Sequence, residues 1–253
     1  MILALLLSIL AAGPAQPSAR RLDVAAAADL KFAMDELVGA FGRSHRDITV
    51  SVSYGSSGNF LSQIQNGAPF DLFFSADIDY PRRLALAGLA PKGSEFLYAV
   101  GRIVVWVPAA SRVPVNLGAQ APTRPDVRRI AIANPKHAPY GRAAEAALRK
   151  LGVYAAVQDK LVFGENVAQA AQFVQGGAAD AGILALSLAV APAMVKDGRY
   201  FELPLDSYPR MDQGGIILNR ARDPEAARAF RDFVLGSEGR VTLKRYGFFL
   251  PAE

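Results

Sequence analysis

A short turn of glycine and serine is the part of the chain best suited to chemistry. The residues Gly-Ser-Ser-Gly at 55–58 lie between a predicted strand, 48–54, and a predicted helix, 57–66. The first N–H groups of a helix have no acceptor within the helix, and the helix dipole favours negative charge at that end. The hydroxyl of Ser57 adds one more donor. The segment therefore predicts a binding place for an anion.

Three other predicted helices open in a similar way, each after a predicted strand. Ala28 and Asp29 open the first of them, with Asp29 as its expected N-cap. Tyr140 follows a proline suited to a first helical turn and offers both an N–H and a hydroxyl. Val167 follows Asn166 in a capping-box pattern that leaves the Val167 N–H accessible. Each turn alone is most simply a capped helix, whereas four turns facing one cleft would surround a small anion with uncharged donors.

Strands and helices alternate along the chain, which predicts an α/β fold. Residues 98–108 form a β-prone run interrupted by Gly101, and this run is expected to carry the chain from one sheet into another. We therefore predict two lobes, each a mostly parallel sheet flanked by helices, with a hinge between them. The predicted lobes are residues 20–100 with 206–253, and residues 101–205. Ligands of such sheets bind at the carboxyl ends of the strands, where the four helix openings lie.

The composition excludes several classes of function. The 253 residues include no cysteine, so disulfides, thiolate catalysis and thiolate metal sites are not available. The net charge is +5, but the Lys and Arg residues are dispersed, so no nucleic-acid groove is predicted. His45 and His137 lie far apart in the sequence without a nearby acidic pair, so no metal site is predicted either.

The first residues are predicted to be a secretory signal. Residues 1–13 are uncharged and apolar, but they are too few to span a bilayer. A zone of small residues follows, with cleavage expected after Ala15 or after Ala19. An uncleaved anchor is the alternative. Removal of residues 1–19 would leave a soluble protein in the periplasm.

Several segments together resemble the periplasmic molybdate-binding proteins of bacterial ABC transporters, over about residues 22–251. The resemblance rests on three alanines at 25–27 and on GSSGNFLSQIQNGAPFDLFFSAD, FLYAVGRIVVW, AIANPKHAPYG, ENVAQAAQF and LKRYGFFLP. It implies the two-lobe fold of type II periplasmic binding proteins. It also implies a tetrahedral oxyanion held by hydroxyls and main-chain N–H groups, without a metal ion or a counter-charge from the protein.

The resemblance also implies which residues hold the ion. Ser57 matches the hydroxyl donor, Tyr140 the tyrosine after Ala-Pro, and Val167 the main-chain donor, so molybdate would be bound through these three residues. Ala28-Asp29 departs from the pattern, because family members commonly have a Ser, Thr or Asn donor there. A carboxylate at 4 Å from a dianion is repelled by roughly 4 kcal/mol per pair of unit charges. Either Asp29 caps the helix with its side chain turned away while this turn's N–H groups face the ligand, or Asp29 accepts a hydrogen bond from a protonated oxyanion such as hydrogen phosphate.

These expectations describe a binding protein and not an enzyme. The resemblance implies capture of molybdate, and also of tungstate, by a monomer without a cofactor, followed by delivery to the permease and ATPase of an ABC transporter. One alternative is a binding protein for phosphate, sulfate or chromate. A second is a hydrolase with Ser57 as nucleophile, which requires a base within hydrogen-bond reach of Ser57. A third, an effector-sensing module of a regulator, is disfavoured by the export-like start and by the absence of a helix-turn-helix region.

Overall fold

Two five-stranded sheets form the framework of the molecule. The computed structural model describes residues 20–252, and the predicted signal at 1–19 lies outside the described residues. The strands are β1 (Arg20–Ala27), β2 (Ile48–Gly55), β3 (Leu72–Ser75), β4 (Phe96–Gly101), β5 (Ile103–Pro108), β6 (Ile130–Ala133), β7 (Leu161–Gly164), β8 (Ala181–Ala185), β9 (Gly198–Glu202) and β10 (Met211–Ile217). The α-helices are α1 (Lys31–Ser44), α2 (Ser57–Gln65), α3 (Asp79–Leu86), α4 (Pro139–Lys150), α5 (Tyr154–Val157), α6 (Val167–Gln175), α7 (Leu186–Ala189), α8 (Pro192–Val195), α9 (Pro224–Leu235) and α10 (Ser237–Arg245).

The first sheet has the strand order β2-β1-β3-β10-β4. Strand β1 is parallel to β2 and β3, whereas β10 is antiparallel to β3 and β4. Alternate residues of β1 pack on opposite faces, as the strand period of two requires. Val24 belongs to the cluster that includes α1 and α9, and Ala25 belongs to the cluster that includes α2 and α3. Because both faces are covered, the second half of β1, residues 24–27, is apolar and buried, whereas its charged residues Arg20, Arg21 and Asp23 lie in the first half.

The second sheet has the same design, with the order β7-β6-β8-β5-β9. Strand β6 is parallel to β7 and β8, and β5 is antiparallel to β8 and β9. One strand in each sheet thus runs against the other four, which confirms the prediction of two mostly parallel sheets flanked by helices. Trp106, which lies on β5, is fully buried in the core around this sheet.

The chain passes between the sheets at two adjacent places. It first crosses at Arg102, between β4 and β5, and returns over residues 203–210, between β9 and β10. The Leu203 N–H donates to the Ile103 carbonyl at 3.1 Å, and the Ile103 N–H donates to the Tyr208 hydroxyl at 3.3 Å. The β-prone run at 98–108 therefore consists of two strands, one in each sheet, as the interruption at Gly101 predicted. The finer lobe boundaries stay a prediction.

Two features differ from the sequence-based expectations. Helix α3, which follows β3, was not predicted, because Pro81 and neighbouring polar residues obscure its apolar stripe. The proline-rich stretch at 114–125, for which no element was predicted, contains 3₁₀ turns over Val115–Thr123. Within the part of the chain that the structure covers, no helix has the length and apolar character needed to cross a bilayer.

Candidate anion-binding site

The four predicted helix openings meet in one cavity between the two sheets. The end of β1 at Ala27 lies opposite the end of β2 at Gly55, and in the other sheet Ala133 lies opposite Gly164. The turns that follow these strands therefore face each other across the cleft. The cavity is small, with a volume of about 10 Å³. All five residues predicted from the sequence line it, namely Ala28, Asp29, Ser57, Tyr140 and Val167.

Ser57 is placed so that its hydroxyl can donate a hydrogen bond. It is the first residue of α2, and its side chain is buried. The Ala76 N–H donates to Ser57 Oγ at 3.0 Å. This contact uses the oxygen as an acceptor and leaves the hydroxyl hydrogen for a ligand in the cavity. Ser56, one residue earlier, is the N-cap of α2 and accepts from the Asn59 N–H at 3.4 Å.

Tyr140 and Val167 bring helix N-termini from the second sheet to the same cavity. Tyr140 is the second residue of α4, after Pro139 at the first position as predicted. Val167 is the first residue of α6, and the Asn166 side chain caps this helix by accepting from the Gln169 N–H at 3.0 Å. First-turn N–H groups have no acceptor within their own helix. Both residues therefore present main-chain donors at the cavity, together with the positive end of a helix dipole.

Asp29 does not cap a helix, which corrects one of the two interpretations drawn from the sequence. It is the second residue of the 3₁₀ turn Ala28–Leu30, whose N-cap position is Ala27, and no side chain caps this turn. Asp29 Oδ2 instead accepts from the Tyr140 hydroxyl at 2.9 Å and from Gln213 Nε2 at 2.8 Å. The Tyr140 hydroxyl is thus directed at Asp29, and its N–H is the group that remains for a ligand.

Burial raises the pKa of the Asp29 carboxyl to about 6. Hydrogen bonding from Gln213 and Tyr140, and then from the main chain of Asp29 and Leu30, lowers this pKa in part, because it stabilises the charged form. Asp29 is 1% exposed, and its Oδ1 has no hydrogen-bond partner among the residues described. One carboxylate oxygen is therefore fully engaged, and the other is buried without a partner.

Gln213 is a part of the site that the sequence analysis missed. It lies on β10, is fully buried, and accepts from the Tyr98 hydroxyl at 2.8 Å. Its Nε2 also donates to Tyr140 Oη at 3.0 Å. Gly101 packs directly against Gln213 and Tyr140, since a Cβ at position 101 would lie 2.6 Å from both Gln213 Nε2 and Tyr140 Oη. The one available signal was an isolated amide within the apolar strand MDQGGII, where a buried polar side chain needs partners.

Loop residue His137 connects the two halves of the cleft. Its carbonyl accepts from the Gly58 N–H at 2.9 Å, and its Nδ1 lies 2.9 Å from Ser56 Oγ. A Cβ added at Gly58 would lie 2.5 Å from the His137 carbonyl oxygen. The lobes therefore touch through backbone at this point, and a glycine is required for this approach.

Arg142 forms a second contact across the cleft. The side chain of Arg142 is 42% exposed. It nevertheless donates to Asp77 Oδ2 at 2.6 Å and to the Tyr80 hydroxyl at 2.8 Å, both on the opposite side. An exposed ion pair contributes only about 0–1 kcal/mol to stability. The contact of Arg142 with Asp77 therefore adds little to the stability of the closed arrangement.

Among the residues that the structure describes, none forms the hydrogen bond to Ser57 Oγ that the general base of a hydrolase requires. The contact to Ser57 Oγ comes from a main-chain N–H, and His137 reaches Ser56 instead. Residues 20–252 also hold no group of three or more His, Asp or Glu side chains arranged to bind a metal ion. What the cavity offers is a set of hydrogen-bond donors to a buried anion.

Comparison with known proteins shows similarity to bacterial solute-binding proteins. The family model of bacterial extracellular solute-binding proteins matches residues 22–249. A molybdate-binding protein of Azotobacter vinelandii is 38% identical over 234 residues, which cover 92% of this chain and 91% of that protein. A molybdate-binding protein of Rhodobacter capsulatus is 37% identical over 211 residues, covering 83% and 81%. The solved structure of the Azotobacter vinelandii periplasmic molybdate-binding protein superimposes with a TM-score of 0.83 at 34% identity and covers 91% of this chain and 99% of that one.

Proposed function

Because this chain belongs to the family of bacterial extracellular solute-binding proteins, we propose that it captures molybdate in the cavity between its two sheets. It then delivers the ion to the permease and ATPase of an ABC transporter. The observation that carries the proposal is the convergence of the Ser57 hydroxyl with the first turns of α4 and α6 in one small cavity. The high similarity to molybdate-binding proteins supports molybdate as the ligand.

The proposed site residues are Ala28, Asp29, Ser57, Tyr140 and Val167. Their hydrogen bonds go to the oxygen atoms of the ion, so no protein atom bonds to the molybdenum. Uncharged donors suit this task because a hydrogen bond to an ionised partner contributes about 1.5–3 kcal/mol, even after the water lost by both sides is counted. Several such bonds, offset by dehydration and lobe closure, reach the −8 kcal/mol or so of micromolar binding.

Binding is proposed to act through closure of the lobes. Ser57 lies beside the first sheet, and Tyr140 and Val167 lie beside the second, so an ion that contacts all three binds the closed arrangement more tightly than an open one. A ligand shifts a conformational equilibrium by this difference in affinity. The two lobes, residues 20–100 with 206–253 and residues 101–205, would then move about the crossings at Arg102 and 203–210.

The protein is proposed to work in the periplasm after removal of residues 1–19, as a monomer and without a cofactor. Tungstate, which has the same charge and shape as molybdate, is proposed as a second ligand. Phosphate, sulfate and chromate are the competing oxyanions.

A thermal-denaturation panel tests the proposal directly. The purified protein is heated with molybdate, tungstate, sulfate, phosphate or chloride at equal ionic strength. Molybdate at about 100 times its Kd is expected to stabilise the folded state by about 2.7 kcal/mol, which appears as a rise in Tm of several degrees. A larger rise with phosphate than with molybdate contradicts the assignment of the ligand, and no rise with any oxyanion contradicts the function.

Replacing Ser57 with alanine is expected to weaken molybdate binding by about 10- to 100-fold, because one hydrogen bond to a charged group is lost. Isothermal titration calorimetry measures the change. Ser62→Ala, at an exposed position of the same helix, is the matched control and should bind like the wild type. Equal affinity of Ser57→Ala and Ser62→Ala would remove Ser57 from the site.

A further inference from the structure

Asp29 is a buried acid in a cavity proposed to receive a dianion. Its side chain is 1% exposed and lines the cavity. Oδ2 accepts hydrogen bonds from Tyr140 and Gln213, and Oδ1 has no partner in the described part of the chain. A buried polar atom without a partner costs free energy, so its presence at a ligand cavity requires an explanation.

Counting hydrogens in the network around Asp29 shows where a proton can sit. Gln213 Oε1 faces the Tyr98 hydroxyl at 2.8 Å, which also lies 3.1 Å from the Ser75 carbonyl oxygen, and Gln213 Nε2 faces Asp29. The two hydrogens of Gln213 Nε2 then point to Asp29 Oδ2 and to Tyr140 Oη, and the single hydroxyl hydrogen of Tyr140 points to Asp29 Oδ2. Oδ2 accepts two hydrogen bonds and is therefore occupied. A proton on Asp29 belongs on Oδ1.

We propose that Asp29 carries a proton on Oδ1 in the bound state and donates it in a hydrogen bond to an oxygen of the captured anion. The proton comes from solvent, and no covalent bond of the anion is broken. This inference rests on the proposed function of the cavity. If Asp29 is protonated in this way, the protein takes up about one proton for each dianion that it binds above pH 6. Asp29 is then the residue through which the affinity for the anion depends on pH.

The electrostatics of the cavity favour the protonated form. Burial raises the pKa of Asp29 to about 6 before any anion charge is considered. A dianion next to the carboxyl raises this pKa further, because like charges disfavour ionisation. The neutral acid removes the repulsion that a carboxylate would impose and adds a donor where the carboxylate offers only acceptors. Asp29 therefore takes the place of the neutral donor that the family pattern has in this turn.

Other groups around Asp29 do not compete for this role. Burial raises the pKa values of Tyr140 and Tyr98 well above 10, so both stay neutral over the range of interest. Helices α6 and α7 pack against the 3₁₀ turn of Asp29 and carry no titratable side chain. Lys31, at the start of α1, donates to Asp35 at 2.7 Å and is 44% exposed.

The identity of the anion decides which partner supplies the proton. Molybdate, tungstate and sulfate are full dianions near neutral pH, so the shared proton has to come from Asp29. Hydrogen phosphate carries a proton of its own and could donate to an ionised Asp29, which is the interpretation that the sequence left open. The two cases differ in the number of protons taken up from solution.

Calorimetry in buffers of different ionisation enthalpy counts these protons. Sodium molybdate is titrated into the wild type, Asp29→Asn and the control Asp159→Asn, which alters an exposed aspartate, between pH 6.5 and pH 9. The wild type and the control should take up about one proton per ion at pH 8, and their Kd should rise about tenfold per pH unit. Asp29→Asn, whose amide nitrogen replaces the protonated oxygen as donor, should take up none. Its Kd should stay flat and be 10- to 100-fold lower than that of the wild type at pH 9.

The results separate this inference from the proposed function. Molybdate binding by the wild type with a flat Kd and no proton uptake overturns the role of Asp29 and leaves the function in place. The role of Asp29 is likewise overturned if Asp29→Asn keeps the pH dependence, since another group must then titrate. If Asp29→Asn does not fold, the proton count of the wild type still decides. Tighter binding of phosphate without proton uptake overturns both the role of the Asp29 proton and the choice of molybdate.

Discussion

Replacing Gly58 with alanine is expected to weaken molybdate binding by at least about 100-fold without loss of fold. The new Cβ would lie 2.5 Å from the carbonyl oxygen of His137 and 3.0 Å from its Cα, on the opposite side of the cleft. Both are backbone atoms, so the clash cannot be relieved by rotating a side chain. The lobes have to stay apart, and the variant loses the closed arrangement in which donors from both sheets reach one ion.

The expected loss of molybdate affinity follows from the hydrogen-bond donors beside the second sheet. An ion held by the first lobe alone loses the donors at Tyr140 and Val167. Two hydrogen bonds to a charged group, at about 1.5–3 kcal/mol each, correspond to a loss of about 100-fold or more. The helix itself should gain stability, because alanine is favoured over glycine within a helix by about 0.5–1 kcal/mol. An unchanged or higher Tm without ligand together with greatly weakened binding is therefore the expected signature.

Calorimetry measures the affinity of Gly58→Ala, and small-angle scattering with and without molybdate measures closure. Gly39→Ala is the matched control, since it lies in helix α1 and a Cβ there meets nothing within 4 Å. The control should bind and close like the wild type. Wild-type affinity of Gly58→Ala would mean that the contact with His137 is not needed for binding.

The arrangement of strands and helices was predictable because local signals coincide with the topology. Helix α6 begins at Val167 as predicted, since Asn166 provides a cap whose partner lies three residues away. The strand at 98–108 divides at Gly101, where a side chain has no room. Such signals involve residues close in sequence, so they can be read without knowledge of the fold.

The positions of the site residues were predictable for a topological reason. Turns that follow neighbouring parallel strands meet at the same edge of a sheet. This rule brings Tyr140 and Val167 together at the edge of one sheet, whereas their meeting with Ser57 of the other sheet was implied by the resemblance to molybdate-binding proteins. In the structure these residues line one cavity. Their role in binding stays a prediction until a ligand is measured.

The partners of Asp29 were not predictable. Asp29 is 111 residues from Tyr140 and 184 residues from Gln213, and neither spacing follows from a helix or strand period. The sequence offered helix capping as the local use of an aspartate at that position. The tertiary contacts prevailed because a fully buried carboxylate needs donors, and those donors are supplied by α4 and β10. The contact of Arg142 with Asp77, 65 residues away in the sequence, likewise follows no helix or strand period.

Replacing Asp71 with alanine is expected to lower the free energy of unfolding by about 2–4 kcal/mol. Asp71 is 1% exposed at the start of β3. Its Oδ2 accepts from the Asp23 N–H at 2.7 Å and from Arg222 Nη2 at 2.8 Å, and its Oδ1 accepts from the Arg222 N–H at 2.8 Å. The substitution leaves two main-chain donors without their acceptor, and each loss costs about 1–3 kcal/mol.

The effect should depend on pH in a defined direction. Burial is the largest single influence on the pKa of Asp71 and raises it, but the hydrogen bonds from Arg222 and from the Asp23 N–H, with the charge of Arg222, together outweigh burial and hold the pKa below its ordinary value. The folded state therefore binds a proton less readily than the unfolded chain. The stabilisation by Asp71 is fully present above about pH 4 and is lost as the pH falls through the lowered pKa.

Urea denaturation at pH 7 and at pH 3 measures both effects. The free energy of unfolding of the wild type should exceed that of Asp71→Ala by about 2–4 kcal/mol at pH 7, and this difference should be smaller at pH 3. Asp159→Ala, at an exposed position, is the control and should change stability by less than about 0.5 kcal/mol. A difference that stays constant down to pH 3 would show that the loss comes from packing and not from the carboxylate.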